Sequence, residues 1–147
     1  GYSIYSFKNL KKICNQFKPN ILQCPYNVID RRLEEKKLLQ FLKINKIEIH
    51  VRSIFLQGIL LNNNFKNTKM QLAMIKIKNL CKLKNIQLID ACINFVLNMK
   101  NINKVVIGVH DINELKIILN YKKKKLNFNF LNKISINKKY IKPYLWK

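Results

Sequence analysis

Glycine, histidine and acidic side chains are scarce in this chain, and each scarcity removes a class of chemistry. The 147 residues include 3 Gly, 2 His and 7 Asp+Glu. With so little glycine there is no GxGxxG and no P-loop, the backbone patterns that cradle nucleotide phosphates. The two histidines, His50 and His110, do not form the HExxH pattern of a zinc protease. The carboxylates Asp30, Glu34, Glu35, Glu48, Asp90, Asp111 and Glu114 fall mostly on predicted helix surfaces or caps. None pairs with another at a strand end, so a two-carboxylate acid–base site is excluded. Ser3, Ser6, Ser53 and Ser135 lack the strand–turn–helix context of a nucleophile elbow. Taken alone, the sequence holds no acid–base constellation.

The four cysteines, Cys14, Cys24, Cys81 and Cys92, show no CxxC or other metal spacing, and are expected to be reduced core thiols of a cytoplasmic protein. No metal site is predicted. No signal peptide and no apolar run long enough to span a bilayer is present, so no membrane partner is expected. What is abundant is Lys, Asn and Ile, which make up roughly half the chain. All three are encoded by A/T-rich codons, so the net charge of +22 is attributed largely to drift of an A+T-rich genome. The lysines are scattered and not gathered into one stripe. The exception, Lys122 to Lys125, follows a helical segment and is expected to be a solvated helix end. The aromatics sit in core-like positions and do not interleave with this run, so nucleic acid is not the expected partner.

The hydrophobic fraction of 48% suits one folded domain. Periodicity predicts an alternation of strands and helices. The strands are Tyr2 to Tyr5, Ile21 to Cys24 (stopped by Pro25), Lys46 to Ser53 and Val105 to Val109. The helices are Phe7 to Phe17, Leu33 to Leu42, Met70 to Leu83, Leu88 to Met99 and Ile112 to Tyr121. Asn85 is the expected break between the third and fourth helices, and Asp111 with Glu114 a capping box for the last. Four parallel strands alternating with helices make an α/β fold, either half of a (β/α)8 barrel or a small open sheet. The expected boundaries are a half barrel over residues 1–121 and a basic tail over 122–147 that packs on it.

In a parallel sheet of this kind, ligands bind at the C-terminal strand ends. Ser3 ends the first strand, Gln23 the second, Arg52 and Ser53 the third, and Gly108 and Val109 the fourth, just before a helix N-terminus. Along the third strand, Glu48, His50 and Arg52 share one face and Ile47, Ile49 and Val51 the other. The β-branched face suits the helices. That places Arg52 at the mouth of the barrel, with His50 beneath it as a hydrogen-bonded interior residue.

Several runs resemble the C-terminal half of the aldo/keto reductases, a family of (β/α)8 barrels. Gly1-Tyr2-Ser3-Ile4-Tyr5 resembles the fifth barrel strand, and Ile21 to Asn27, with Gln23 and Pro25, the sixth. Glu48 to Leu61 resembles the seventh strand and the cofactor loop after it, and Val105 to Val109 with the following helix the eighth; the runs Gln23 to Arg32 and Arg52 to Gly58 are the specific part. Pro143-Tyr144-Leu145-Trp146 is similar to the C-terminus of one bacterial branch of the family.

The resemblance implies an oxidoreductase that moves hydride between NADP or NAD and a small carbonyl or alcohol substrate. Ser3 and Gln23 would bond the nicotinamide carboxamide, and Arg52 would stack where many members place an aromatic. Ser53 and the loop Phe55, Leu56, Gln57, Gly58 to Leu60 would line the pyrophosphate. Gly108, Val109 and Asp111 would lie near the adenosine. Departures are visible: Ile4 stands where the family has the Asn of a Ser–Asn pair. Val109 and Leu115 stand where Lys and Arg often hold the 2′-phosphate of NADP, and the choice between NAD and NADP stays open. The family's proton-transfer Asp, Tyr, Lys and His lie in the first half of the barrel, so no catalytic residue is assigned here.

The chain opens at Gly1 directly on a strand-like segment, which suggests a truncated front end. A half barrel exposes two parallel edges and an inner apolar face. The burial it lacks is of order tens of kcal/mol at about 25 cal/mol per Å², large against a typical net stability of roughly 5–15 kcal/mol. The expected partner is therefore an N-terminal half barrel, in cis or in trans. The rival reading is a degenerate or split half-barrel relic without catalysis, acting at most as a pairing module.

Overall fold

A computed structural model describes residues 1–61, 68–121, 123, 124, 126–129 and 141. In chain order the elements are β1 (Tyr2–Ser3), α1 (Leu10–Gln16), β2 (Ile21–Pro25), a 3-10 turn (Arg32–Glu34) and α2 (Lys36–Ile44). There follow β3 (Glu48–Arg52), α3 (Thr68–Leu83), α4 (Leu88–Leu97), β4 (Lys104–Val105) and α5 (Ile112–Leu119). The four strands form one parallel sheet in the order β1-β2-β3-β4. This is the α/β alternation expected of a (β/α)8 barrel fragment, with each crossover returning the chain to the next strand.

Alternation along the strands sets the two faces. Leu22 and Cys24 of β2 and Ile49 and Val51 of β3 are buried. They join Leu10 and Cys14 of α1, Leu38 and Leu42 of α2, Met74, Ile77 and Cys81 of α3, and Ala91, Cys92, Ile93, Phe95 and Val96 of α4 in one core. Each such aliphatic side chain contributes about 1.5–3 kcal/mol through burial. The other face carries the register row Ser3, Gln23, His50 and Lys104, one residue from each strand. His50 Nε2 lies 3.2 Å from Glu48 Oε2 on that face.

Left-handed residues explain why several elements are shorter than the sequence suggests. Lys46 (φ 54°) and Ser53 (φ 60°) bracket β3 and confine it to Glu48–Arg52. Asn9 (φ 63°) delays α1 to Leu10, which leaves Phe7 outside the helix, and Phe17 is 73% exposed at its end. Asn85 (φ 51°) is the expected break between α3 and α4. Pro25 does not stop β2: it pairs in register with Arg52, and Tyr26 N–H donates to the Arg52 carbonyl at 3.2 Å. A proline at the last rung removes only its own N–H, and the next residue resumes the ladder. Beyond β4, the ladder ends soon after Val106 N–H bonds the Val51 carbonyl, so residues 107–109 run outside the sheet.

Helix α4 is buried on nearly all sides, from Asp90 to Val96, where one buried face was expected. Residues after α5 supply the extra cover. Lys124 N–H donates to Asn94 Oδ1 at 2.6 Å, and its ammonium pairs with Asp90. Lys123 Nζ donates to the Leu97 carbonyl at 2.6 Å, and Phe128 meets Phe95 edge-on at 5.6 Å. Lys123 and Lys124 are exposed beyond the end of α5, as expected of a solvated helix end, and they also tie the chain there to α4. Lys122, Lys125 and the Pro143–Trp146 run lie outside the described residues. By contrast, α5 buries none of its residues: Ile112, Ile117 and Leu119 are all more than half exposed.

Candidate functional site

Among the described residues, the β2–α2 loop is densely bonded. Asp30, with no exposed surface, holds Arg32 through two bonds of 2.8 and 2.7 Å. Arg32 in turn donates to the Tyr5 carbonyl at 2.7 Å, fixing the end of β1. Arg31 forks onto Glu34, which also accepts from Tyr26 Oη at 2.8 Å. Burial first, and then the Glu34 bond, push the Tyr26 phenol pKa up. The bond to Glu34 is also the main cause holding the Arg31 guanidinium above its ordinary pKa. These paired ions are scaffolding, because every charged oxygen is already engaged within the loop.

The same loop positions the strand end beside it. Asn27 is fully buried; its Nδ2 donates to the Ser53 carbonyl at 3.0 Å, and its Oδ1 accepts from Ile29 N and Asp30 N. That contact holds Ser53 in its left-handed conformation, and the chain then turns through Leu56 (φ 49°), Gln57 (φ 56°) and Gly58 (φ 76°). A run of positive φ in non-glycine residues costs conformational energy and persists where the surroundings enforce it. Here Ile54, Leu56 and Leu60 enforce it by pointing into the core. Among the described residues, the N–H groups of Phe55, Gln57 and Gly58 donate to no backbone acceptor. Successive free N–H groups in such turns form an anion-binding concavity.

Above the register row lies Arg52. Its guanidinium sits 4.1 Å from the Tyr5 ring centroid, and its two terminal nitrogens reach the Ile4 carbonyl (3.3 Å) and Ser53 Oγ (3.2 Å). Ser3 Oγ donates to Gln23 Oε1 at 3.3 Å one rung below. A cleft of about 610 Å³ opens from Arg52 toward α5. It is lined on the β3 side by Arg52, Ser53, Phe55, Gln57 and Gly58, and on the β4–α5 side by Gly108, Val109, His110 and Glu114. A β-carbon built on Gly108 would meet nothing within 4 Å, so the space beside it is open.

The structure thus brings together Arg52, Ser53, Phe55, Gln57, Gly58, Gly108 and Val109 around one cleft. Ser3 and Gln23 adjoin it as a bonded pair at the neighbouring strand ends. Leu56 and Leu60 are core residues, 1% and 0% exposed, that shape the loop from beneath. Asp111 is the N-cap of α5, accepting from Asn113 N (2.7 Å) and Glu114 N (2.9 Å). Glu114 reaches back to His110 N at 2.8 Å, one residue earlier than a standard capping box. Sequence reasoning missed Tyr5, Asn27 and the cleft-facing roles of His110 and Glu114. Period-two alternation from Ser3 would have found Tyr5; nothing local marks Asn27, whose partner is 26 residues away.

Nothing in this geometry points to a metal: among the described residues no group of three or more His, Cys, Asp or Glu could hold an ion. No helix among the described residues is long and apolar enough to cross a membrane.

A sheet of parallel strands with a cleft across the C-terminal ends of β3 and β4 is one side of a β/α barrel that opens on its ligand face. Comparison with known proteins narrows the class. A family model for the aldo/keto reductase family matches residues 1–137. Among solved structures, the chain is similar to the thermostable aldo-keto reductase Tm1743, solved with the inhibitor epalrestat. The TM-score is 0.61 at 17% identity over 90% of this chain and 45% of that one. It is also similar to the glycerol dehydrogenase AKR11B4 from Gluconobacter oxydans, with a TM-score of 0.51 at 16% identity over 81% of this chain and 46% of that one. No curated protein matches it in sequence. The chain spans about half the length of these solved structures. It belongs to the aldo/keto reductase family.

Proposed function

We propose that this chain supplies the cofactor-binding side of a cytoplasmic, nicotinamide-dependent aldo/keto reductase. The observation that carries this reading is the cleft from Arg52 to Glu114, whose lining collects residues from two successive strand ends and the loops that follow them. Its volume falls within the range of roughly 300–1,000 Å³ typical of ligand sites. The residues fit a dinucleotide. Tyr5 covers one side of the Arg52 guanidinium, which leaves a flat, cationic group to lie against a nicotinamide ring. Ser3 and Gln23 offer a hydroxyl and an amide to its carboxamide. The N–H groups of Phe55, Gln57 and Gly58 suit the pyrophosphate, and the open space beside Gly108 suits the adenosine end.

When bound, the nicotinamide supplies the hydride chemistry. The chain's own part is to orient it. Proton transfer to a small carbonyl substrate would come from an N-terminal (β/α)4 unit joined in cis or in trans. The half barrel over 1–121 and the tail over 122–147 are, on this reading, one unit.

Quenching or enhancement of NADH and NADPH fluorescence on titration with the full chain tests the reading. Saturable 1:1 binding that weakens at least about tenfold in Arg52→Met is expected. Absence of saturable binding of both cofactors refutes it and leaves the relic, which the two-residue edge strands β1 and β4 favour.

A further inference from the structure

A carboxylate lines the α5 side of the cleft. Glu114 supplies it, and two of the N–H groups that begin α5 are already engaged: Asp111 Oδ1 accepts from Asn113 N and Glu114 N, while Glu114 Oε2 accepts from His110 N just before the helix. A helix N-terminus normally attracts anions through such unsatisfied donors. Here Asp111 takes two of them, and its charge with that of Glu114 offsets the helix's partial positive charge. At the other side of the cleft stands the cation Arg52, beside the loop with free N–H groups. The site is therefore cationic where a pyrophosphate would pass and anionic where the dinucleotide would end.

We infer that the cleft selects a dinucleotide that ends in an unphosphorylated ribose, NAD(H) over NADP(H), and that Glu114 is the specificity-determining residue. This rests on the cofactor reading above and deepens it. A ribose 2′-hydroxyl donates a hydrogen bond to a carboxylate, as acidic residues do in other dinucleotide folds. A 2′-phosphate in the same place carries two negative charges and no donor. It meets Glu114, with the N-cap Asp111 in the same first turn, in a cleft whose remaining α5 lining, Ile117 and Ile118, is apolar and weakly screening. Among the described residues that line the cleft on this side, His110 is the other titratable group, 3.3 Å from Glu114 with its side chain 89% exposed, so any charge on it is well screened by solvent.

The chain's net charge of +22 acts the other way. It favours the more anionic NADPH at long range, but over a Debye length of about 8 Å at physiological salt this attraction is general and not tied to Glu114. Comparing variants at one ionic strength removes it.

The test is calorimetric titration of NADH and NADPH into the full chain at about 0.15 M salt. The chain, Glu114→Gln, and Glu114→Gln combined with Asp111→Asn are compared. Asn keeps the N-cap, so helix α5 survives the loss of charge. NADH is expected to bind at least about tenfold tighter than NADPH, with the ratio falling to within about threefold in the double variant. Equal or tighter binding of NADPH by the unmodified chain overturns the inference while leaving the cofactor reading intact. So does a ratio that the two substitutions do not change. Binding of neither cofactor refutes the cofactor reading itself, and the inference with it.

Discussion

Gly108 separates what the fold needs from what the cleft needs. Its φ is not in the left-handed region, and a β-carbon there would meet no atom within 4 Å. Replacing it with alanine therefore introduces no clash and no backbone strain. Because alanine narrows the unfolded ensemble, Gly108→Ala should stabilise the chain, by about 0.4–1 kcal/mol. Gly108→Leu should leave stability within about 0.5 kcal/mol, since its side chain extends into open space. The bound cofactor feels the opposite. Gly108 borders the 610 Å³ cleft beside Val109, and a leucine side chain would occupy space that a ligand must use.

Forcing extra methylenes into a filled site costs about 1–3 kcal/mol, so cofactor affinity in Gly108→Leu should fall roughly 5- to 150-fold. The alanine variant should show a smaller loss in the same direction. Urea denaturation followed by circular dichroism reads the first quantity, and calorimetric titration of NADH the second. Two results would refute the reasoning. Destabilisation by more than 1 kcal/mol would mean the space is not open. Unchanged affinity in the leucine variant would mean the cofactor does not pass Gly108.

The remaining predictions concern the scaffold, the cation at the cleft and the buried thiols. Asp30→Ala leaves the Arg32 guanidinium half-buried without its bidentate partner and should destabilise by about 3–5 kcal/mol in urea; a loss below about 1 kcal/mol would show that the pair is dispensable. Arg52→Lys keeps the charge but loses the planar contact with Tyr5 and one or both bonds to Ile4 and Ser53. It should weaken NADH binding while shifting the thermal midpoint little, and a variant that binds as the parent does would remove Arg52 from the site. Burial raises the Cys24 thiol from its ordinary 9.0 to about 12, with Asp30 adding to the shift. Between those values the unfolded chain has lost this proton and the folded chain keeps it. Stability is therefore full below about pH 9 and falls as pH rises toward 12. Cys92 and Tyr26 move the same way. Urea midpoints that stay flat across that alkaline range, or a slope unaltered in Cys24→Ala, would contradict this.

Strand alternation was legible because β3, and β2 as far as Cys24, are buried on the helix side in period two, so Leu22, Cys24, Ile49 and Val51 announce the core and Gln23 and Arg52 the cleft side. The strand ends themselves were not. Lys46, Ser53 and Asn9 are left-handed for reasons that no local pattern encodes, and at Ser53 the cause is Asn27 on a different loop. The last strand failed for the opposite reason. Val105 to Val109 is apolar enough for a buried strand, yet only Lys104 and Val105 pair, because β4 has one neighbour and residues 107–109 leave the sheet to line the cleft. The all-round burial of α4 was illegible because Lys124 and Phe128, roughly thirty residues downstream, contribute to it. Leu56 and Leu60 show a related limit: a resemblance between loops assigns a ligand-lining stretch, while the fold decides residue by residue which members face inward.

Composition misleads about charge in one direction and informs in the other. A large excess of lysine says little about any one lysine. Each of the 7 acidic residues, however, sits in a field of cations and should be bonded wherever geometry permits. Six of them are: Asp30 with Arg32, Glu34 with Arg31, Glu48 with His50, Asp90 with Lys124, Glu114 with His110, and Asp111 as the cap of α5. Four of these, Asp30, Glu34, Glu48 and Asp90, are bonded away from the cleft lining. The two that remain, Asp111 and Glu114, stand at the N-terminus of α5, where Glu114 lines the cleft. In a chain with 29 cations and so few carboxylates, a pair of negative charges at the end of a dinucleotide-sized cleft is a local exception to the global charge, and local charge is what a ligand in contact with it meets.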